Sequence, residues 1–376
     1  DVAKILKNKS ENAGIIKKIL ESEEYKIPTH EIVEINDGFS KKKRKIIKPK
    51  YKYEQIIHHA IVQTIEPIIT RGMYEYSCGS IPGRGGHYGK KYIERFINKN
   101  QKEIKYCCKM DIYHFFQSVN HKKIKELFRK KIRDEKLIRL LEKHIDAYCD
   151  HEEGGEKYGI PLGYYTSQWF SNWYLQQLDH HIKKSGAKCY VRYMDDMIIF
   201  GRNKKSLHKL RKEISRFLKE ELDLEMKGNW QVFRFDFMTK DKIRKGRHLD
   251  FMGYRFYRDK TTLRKTIMLR ATRKAAKMHK KEKITWCDAS QMLSYLGWIK
   301  TADCHGSYEK YIKEKVNVKK LKKIISNKNR RENEINIQRN GRNTGGKTKR
   351  DRFDIVKQNS VPEKEYSRSN RNGGGS

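Results

Sequence analysis

The sequence contains no apolar run near the roughly 18 residues needed to cross a bilayer. Its opening residues, 1–14, carry no apolar stretch of the kind that directs secretion, so a cytoplasmic protein is expected. Cysteines number seven, an odd and scattered set (Cys78, Cys107, Cys108, Cys149, Cys189, Cys287, Cys304) with no C-x-x-C spacing. That pattern argues against a disulfide framework and against a zinc site, and suits small apolar packers in a reducing compartment. No internal repeat of solenoid period is present. Acidic residues are scarce: 46 Asp+Glu against 86 Lys+Arg gives a formal net charge of +40. Such an excess repels itself unless a polyanion is near, and a basic groove gains affinity by releasing counterions from phosphates. The same arithmetic argues against an acidic-surface metabolic enzyme. The charge does not separate an enzyme acting on nucleic acid from a passive binder.

The 376 residues allow one to three domains at roughly 100–200 residues each. Residues 1–40 read as a helical lead-in, with Ile5, Leu6, Ile15, Ile16, Ile19 and Leu20 at helical spacing. The basic run at 41–49 surrounds two β-branched residues, Ile46 and Ile47, and suggests a strand or hairpin. Residues 53–69 look helical and are expected to end near Glu66-Pro67. Four glycines and a proline at 77–87 predict a loop whose backbone can approach a ligand closely. Residues 106–112 read as an apolar strand closing on an acid, and 189–201 as two short strands around an acidic turn. Helices are expected at 166–183 and 204–222, a strand pair at 249–257 and 262–269, and a basic helical region to 326. From 327 onward Arg, Asn, Lys, Gly and Ser dominate, which predicts disorder in isolation; residues 373–376 have the composition of an appended linker and are set aside.

Asp195 and Asp196 stand side by side inside an otherwise apolar hairpin, and Asp111 ends an apolar strand. Burying paired carboxylates is costly unless a cation compensates. Three acids at the ends of central strands suit two Mg²⁺ ions, which take carboxylate oxygens together with phosphates. Ions about 3.5–4 Å apart can activate a 3′-hydroxyl and stabilise a leaving pyrophosphate. The alternative is that Asp-Asp merely occupies a solvated turn.

Tyr193-Met194-Asp195-Asp196 resembles the Y-x-D-D box of reverse transcriptases, and Asp111-Ile112-Tyr113-His114-Phe115-Phe116 resembles their first catalytic motif. The segment from Gly159 through Pro161, Leu162, Gly163 and Ser167 to Gln168 is similar to the motif leading into the template- and nucleotide-positioning helix. Leu249-Asp250-Phe251-Met252-Gly253-Tyr254 resembles the primer-grip hairpin. The 77–87 loop, with Gly79, Pro82, Gly83, Arg84 and His87, is similar to the fingers motif of group II intron-like bacterial enzymes. Ser294-Tyr295-Leu296-Gly297-Trp298 resembles the start of a thumb. The resemblance spans about residues 40–325, with its motifs in the expected order.

It implies an α+β right-hand polymerase fold: fingers at 41–105, a palm of antiparallel sheet backed by helices at 106–270, and a helical thumb at 271–326. The implied activity is RNA-directed DNA synthesis. Asp111, Asp195 and Asp196 are the implied catalytic and metal carboxylates, with Ile112 among the metal-site residues, and two Mg²⁺ (or Mn²⁺) are the implied cofactors. Phe116 falls at the ribose gate, although it could be plain core like Phe115. Arg44, Lys45 and Arg84 are candidates for triphosphate or template phosphate, for which bidentate Arg contacts are apt. Lys227 is the candidate proton donor to pyrophosphate.

Leu162 and Gln168 depart from the common bacterial motif, which has Gln and Pro in those places. The resulting L-G-x-x-x-S-Q form is similar to that of diversity-generating retroelement reverse transcriptases, which copy template adenines with errors. Leu162, Gly163, Ser167 and Gln168 are thereby implied in template positioning and fidelity. Phage-defence reverse transcriptases are the next candidates, followed by a catalytically silent RNA-binding scaffold and a non-templated terminal transferase. Implied partners are an RNA template or structured non-coding RNA, the cDNA/RNA duplex and dNTPs; an accessory protein stays open, and no membrane is involved. His58-His59 and His180-His181 are expected on helix surfaces or facing phosphate, and Trp169, Phe170, Trp173 and Tyr174 in packing. Ser167 has no His/Asp arrangement of a nucleophile.

Overall fold

Strands that bury both faces must be apolar along their whole length, and residues 189–201 meet that demand everywhere except Arg192 and the acidic turn. The computed structural model describes residues 2–22, 31–36 and 43–341. In chain order, helices α1 (Val2–Lys7) and α2 (Lys9–Glu21) precede an antiparallel hairpin of β1 (Glu31–Asn36) and β2 (Lys43–Lys48). Then come α3 (Ile56–Arg71), β3 (Ser77–Cys78), α4 (Gly86–Lys99), β4 (Tyr106–Met110), α5 (Phe115–Ser118), α6 (His121–Lys131) and α7 (Glu135–Asp146). A small hairpin of β5 (His151–Glu153) and β6 (Glu156–Tyr158) leads to α8 (Tyr165–Tyr174) and α9 (Gln176–Lys184). The hairpin β7 (Cys189–Tyr193) and β8 (Asp196–Gly201), α10 (Lys204–Leu222), β9 (Gln231–Arg234), and the short pair β10 (Phe237–Met238) and β11 (Arg244–Lys245) follow. A three-stranded meander, β12 (Leu249–Phe251), β13 (Tyr254–Phe256) and β14 (Thr261–Leu263), precedes α11 (Lys265–His279), α12 (Trp286–Lys300) and α13 (His305–Tyr311).

The central sheet has the order β3-β7-β8-β4-β9, with β3 parallel to β7 and every other neighbour antiparallel. Its register sets Met110, at the end of β4, beside Met197 of β8, so Asp111 and the β7–β8 turn share one end of the sheet. The helix α10 packs along β4, β8 and β9 through Leu207, Ile214, Leu218 and Leu222, a buried stripe at helical spacing, and Asn203 caps it by accepting from Lys205 and Ser206 N–H. Trp169, Phe170, Trp173 and Tyr174 are buried in the core, as packing residues should be. This is the α+β right-hand polymerase fold expected from the sequence.

Several details differ from the sequence reading. Pro67 does not end α3, which continues to Arg71 because Ile69 is fully buried and holds the last turn on the core. The expected helix at 166–183 is two helices that meet at Leu175. The strand pair at 249–269 is three strands, and residues from Lys265 onward are already helical. His58 lies not on a surface but on the buried stripe of α3, between the rings of His144 (4.6 Å) and Tyr164 (4.4 Å). His59 stacks on Tyr165, His180 bonds the Gly72 carbonyl, and His181 pairs with Glu213.

Two compact units comprise residues 1–318 and 319–376. The helix α14 runs from Val318 to Gly341, so the expected disordered tail is helical at 327–341; its remainder, including residues 373–376, lies outside the described residues, as do Lys41 and Lys42. All seven cysteines are free thiols, and no helix among the described residues is long and apolar enough to cross a membrane.

Candidate active site

The hairpin β7–β8 closes through a two-residue turn, Met194-Asp195, between the paired Tyr193 and Asp196. Met194 has φ = 55°, a left-handed conformation that costs a non-glycine residue about 1 kcal/mol or more. Outside partners fix both of its backbone groups. Its N–H donates to the Cys78 carbonyl (3.1 Å), and its carbonyl accepts from Arg192 Nη1 (3.0 Å).

The turn brings Asp195 to Asp111. Burial, then the Asp111 charge, then that of Asp196 push the Asp195 carboxyl up to about 7. Asp196 also lies above the usual carboxylate range because of burial, but the cations Lys109, Arg264 and Lys227 oppose the rise. Asp195 and Asp196 both feel the Asp111 carboxylate, but for Asp196 the cations Lys109, Arg264 and Lys227 offset it. Lys227 Nζ sits 2.9 Å from Asp111 Oδ2 and its N–H donates to the Asp111 carbonyl, so the segment after α10 is held beside the acid. An ammonium is drawn to the position where a buried carboxylate pair lacks positive charge.

Among the described residues, no group of three or more His, Cys, Asp or Glu side chains is placed to hold a metal ion, so Asp111, Asp195 and Asp196 do not form a ready-made three-carboxylate cluster. Asp111 and Asp195 nonetheless fit a hard divalent cation, because Mg²⁺ commonly takes one or two carboxylates and completes its shell with water and substrate phosphate. Ile112 is buried and has only its main-chain carbonyl to offer an ion.

The glycine loop packs directly on this turn. A β-carbon on Gly79 (φ = +97°) would lie 3.1 Å from Met194 Cγ, a fit that only glycine allows. Arg84 fastens the loop, with Nη1 donating to the Tyr74 carbonyl at 3.2 Å. Ser80 Oγ donates to Gln168 Oε1 at 2.7 Å, which brings Gln168 of α8 to the loop. Ser167 is buried, and its Oγ has no hydrogen-bond partner among the described residues. Leu162 accepts from Ile47 N–H at 2.8 Å, so the motif before α8 is clamped to the strand carrying Arg44 and Lys45; those two side chains are exposed on β2. Phe116 is half-buried against the core and meets Phe115 edge-on.

The β12–β13 turn, Met252-Gly253, has two left-handed residues, as a tight hairpin requires. Asp250 on β12 takes Arg264 Nε at 2.8 Å, and its carbonyl accepts from Lys109 Nζ at 3.0 Å. Lys109 belongs to β4, which ends one residue before Asp111, so this lysine joins the meander to the acids.

Sequence reasoning missed Lys109, Asn172, Asp179 and Arg192. A signal was present for the last: an arginine inside an apolar strand is buried only if an acid meets it. Arg192 is fully buried and forks onto Asp179, with Nε–Oδ1 at 2.8 Å and Nη2–Oδ2 at 2.6 Å.

Residues 35–256 match the family described as reverse transcriptase (RNA-dependent DNA polymerase). Over 132 residues the chain is 34% identical to an uncharacterized 91 kDa protein in a cob intron of Schizosaccharomyces pombe, a stretch covering 33% of this chain and 16% of that protein. Among solved structures, apo telomerase from Candida tropicalis aligns with a TM-score of 0.49 at 13% identity, covering 71% of this chain and 52% of that one. Telomerase from Candida albicans in complex with a TWJ fragment of telomeric RNA aligns with a TM-score of 0.47 at 10% identity, covering 77% and 57%. The chain thus spans about half the length of these telomerases and about a sixth of the curated relative. The family match takes in more than half of the chain, from the basic hairpin through the acidic turn to the β12–β13 meander, and this chain belongs to the reverse transcriptase family.

Proposed function

We propose that this chain is an RNA-directed DNA polymerase that extends a primer along an RNA template by nucleotidyl transfer at Asp111, Asp195 and Asp196. The observation that carries this reading is the meeting of Asp111 and Asp195 at one end of the central sheet, where burial and the Asp111 and Asp196 charges push the Asp195 carboxyl up. Divalent ions bound there, Mg²⁺ or Mn²⁺, would lower the pKa of the primer 3′-hydroxyl and neutralise charge on the leaving pyrophosphate. The protein's own part is placement and electrostatics, as phosphoryl transfer demands. Asp111 and Asp195 are the residues that would hold such ions through their carboxylate oxygens. Asp196, facing Lys109 and Arg264, tunes the field and braces the turn. Lys227, its Nζ 2.9 Å from Asp111 Oδ2, is the group that would donate a proton to the leaving pyrophosphate. Phe116 lies under the sugar as a gate against a 2′-hydroxyl. Arg44 and Lys45 meet phosphate from the exposed side of β2, and Arg84 orders the loop beneath it. The regions 41–105, 106–270 and 271–326 act as fingers, palm and thumb.

The biological role that the residues favour is a diversity-generating retroelement, working in the cytoplasm with a template or structured non-coding RNA. Supporting it are the L-G-x-x-x-S-Q form and the contact of Gln168 with Ser80, which places this motif's departure beside the catalytic turn.

Primer extension on an RNA template with Mg²⁺ tests the activity. The wild-type chain makes cDNA, and Asp195→Ala/Asp196→Ala loses synthesis while keeping RNA binding; an equally active double variant refutes the site. Product formed without template, or unchanged when the template is altered, turns the reading to terminal transfer. Substitutions concentrated opposite template adenine support diversification, and uniformly accurate copies turn the role toward phage defence.

A further inference from the structure

A turn that carries a metal-binding carboxylate has to be held in place when opposing charges come and go around it. The Met194-Asp195 turn is an unusual case, because its first residue adopts a backbone conformation suited to glycine. A two-residue hairpin calls for φ > 0 at this position and a methionine side chain resists it, so partners elsewhere in the chain help to hold the turn.

The partner of the Met194 carbonyl is Arg192, two residues earlier on β7. Its guanidinium is fully buried, and all three of its nitrogens donate hydrogen bonds. Nε and Nη2 fork onto Asp179 of α9, and Nη1 is shared between the Met194 carbonyl (3.0 Å) and Asn172 Oδ1 of α8 (3.1 Å). Tyr190 OH donates to the same Asp179 carboxylate at 2.7 Å. Asn172 is also fully buried, and its Nδ2 donates to the Gly79 carbonyl and to the Gln168 carbonyl, each at 3.2 Å. Two helices, the glycine loop and the acidic turn thus converge on one arginine and one asparagine.

A purely structural ion pair needs no third partner, and an apolar pair of the same volume would stabilise this interior as well or better. The Arg192 fork does something an apolar pair cannot: it anchors an acceptor in the turn that bears Asp195. Lysine is a poor substitute, since a single ammonium lacks the planar fork that reaches carboxylate and carbonyl together.

We propose that Arg192, seated by Asp179 and joined to the glycine loop through Asn172, is a positioning residue that holds the Met194-Asp195 turn in the geometry required for catalysis. The proposal rests on the assignment of Asp195 to the reacting site, and the test separates the two.

The variant Asp179→Leu/Tyr190→Phe/Arg192→Met removes the buried polar cluster without leaving a charge unpaired. It is expected to fold, with a melting temperature within about 5 °C of wild type, a shift of the size single-residue energetics produce in a chain this long. Its affinity for an RNA–DNA primer–template stays within about threefold, while kcat falls about 100-fold and dNTP KM changes little, as when an interaction made in the transition state is lost. Mn²⁺ binding in the presence of primer–template and dNTP, read by electron paramagnetic resonance, weakens about tenfold. A folded triple variant with kcat and Mn²⁺ affinity near wild type overturns the proposal. If that variant fails to fold, Arg192→Lys decides: it keeps the charge pair, and a kcat about tenfold lower supports positioning, whereas wild-type kcat overturns it. Asp195→Asn, assayed alongside, guards the underlying assignment. Should Asp195→Asn stay active, the site reading itself fails; should it be inactive while the triple variant is fully active, only the positioning role fails.

Discussion

Gly163 lies directly against the main chain of Ile47. A β-carbon at 163 would overlap the Ile47 carbonyl oxygen and come within 2.6 Å of Ile46 Cγ2, at a φ of +120° that side chains avoid. The Leu162 carbonyl meanwhile accepts from Ile47 N–H. The glycine of the motif before α8 is therefore where the basic hairpin docks.

Gly163→Ala should break that docking. Strain at the positive φ and the overlap together are expected to cost about 1–3 kcal/mol. Because β2 carries Arg44 and Lys45, the same change should raise dNTP KM more than it lowers primer–template affinity. Denaturant unfolding and steady-state extension measure the two effects, and an unchanged KM with full stability would show that the hairpin is not seated through this glycine.

Asp111 and Asp195 repel one another in the absence of divalent ions. Asp195→Asn should abolish synthesis and yet raise the melting temperature in EDTA, by on the order of 1 kcal/mol of stability, because function and stability oppose each other at such a pair. Adding Mg²⁺ should stabilise the wild-type chain and leave Asp195→Asn nearly unmoved. Thermal unfolding with and without the ion provides the comparison. A wild-type protein indifferent to Mg²⁺ would count against the carboxylate pair as its binding place.

The acids were legible in the sequence because charge inside an apolar hairpin is conspicuous, and the hairpin itself followed from its flanking strands. The motif order around them carried the fold. Pro67 was misread as a stop because local propensity favours one; the burial of Ile69 beyond it decides otherwise. His58 could have been placed correctly, since it stands on one stripe with Ile61, Val62, Ile65 and Ile69. The bond between Arg192 and Asp179 was not legible in detail: strand periodicity exposes the odd arginine but cannot say which distant acid reaches it. The contact of Ser80 with Gln168 joins residues 88 apart and belongs to the same class.

Asp288 anchors the turn between α11 and α12. It accepts from Lys274 Nζ (2.8 Å), Lys281 Nζ (2.7 Å) and Thr285, closing a capping box at the start of α12. These donors, Lys274 first, hold its carboxyl well below the usual carboxylate range. A depressed folded-state pKa contributes stability above the unfolded value, about 4, and that stability is lost as pH falls below it. Asp288→Asn should cost about 1–3 kcal/mol at pH 7, with the gap to wild type narrowing below about pH 4. Melting curves across that range test the sign; a gap that widens on acidification would contradict it.

Ser80 Oγ donates to Gln168 Oε1 from a residue whose own φ is +56°, on the loop that packs against Met194. If Gln168 governs how a template base meets the incoming nucleotide, the amide must be held at one orientation, and the Ser80 hydroxyl is what orients it. Ser80→Ala leaves the amide free to rotate and removes a bond worth about 1 kcal/mol, which corresponds to a change of about fivefold in the balance between right and wrong insertion. Ser80→Ala and Gln168→Ala should therefore shift the error spectrum opposite template adenine in the same direction and by similar factors, and the double variant should add nothing to either, as expected of two residues acting through one contact. Deep sequencing of cDNA from a defined RNA template provides the readout. Additive effects of the two substitutions would show that Ser80 and Gln168 act on fidelity separately.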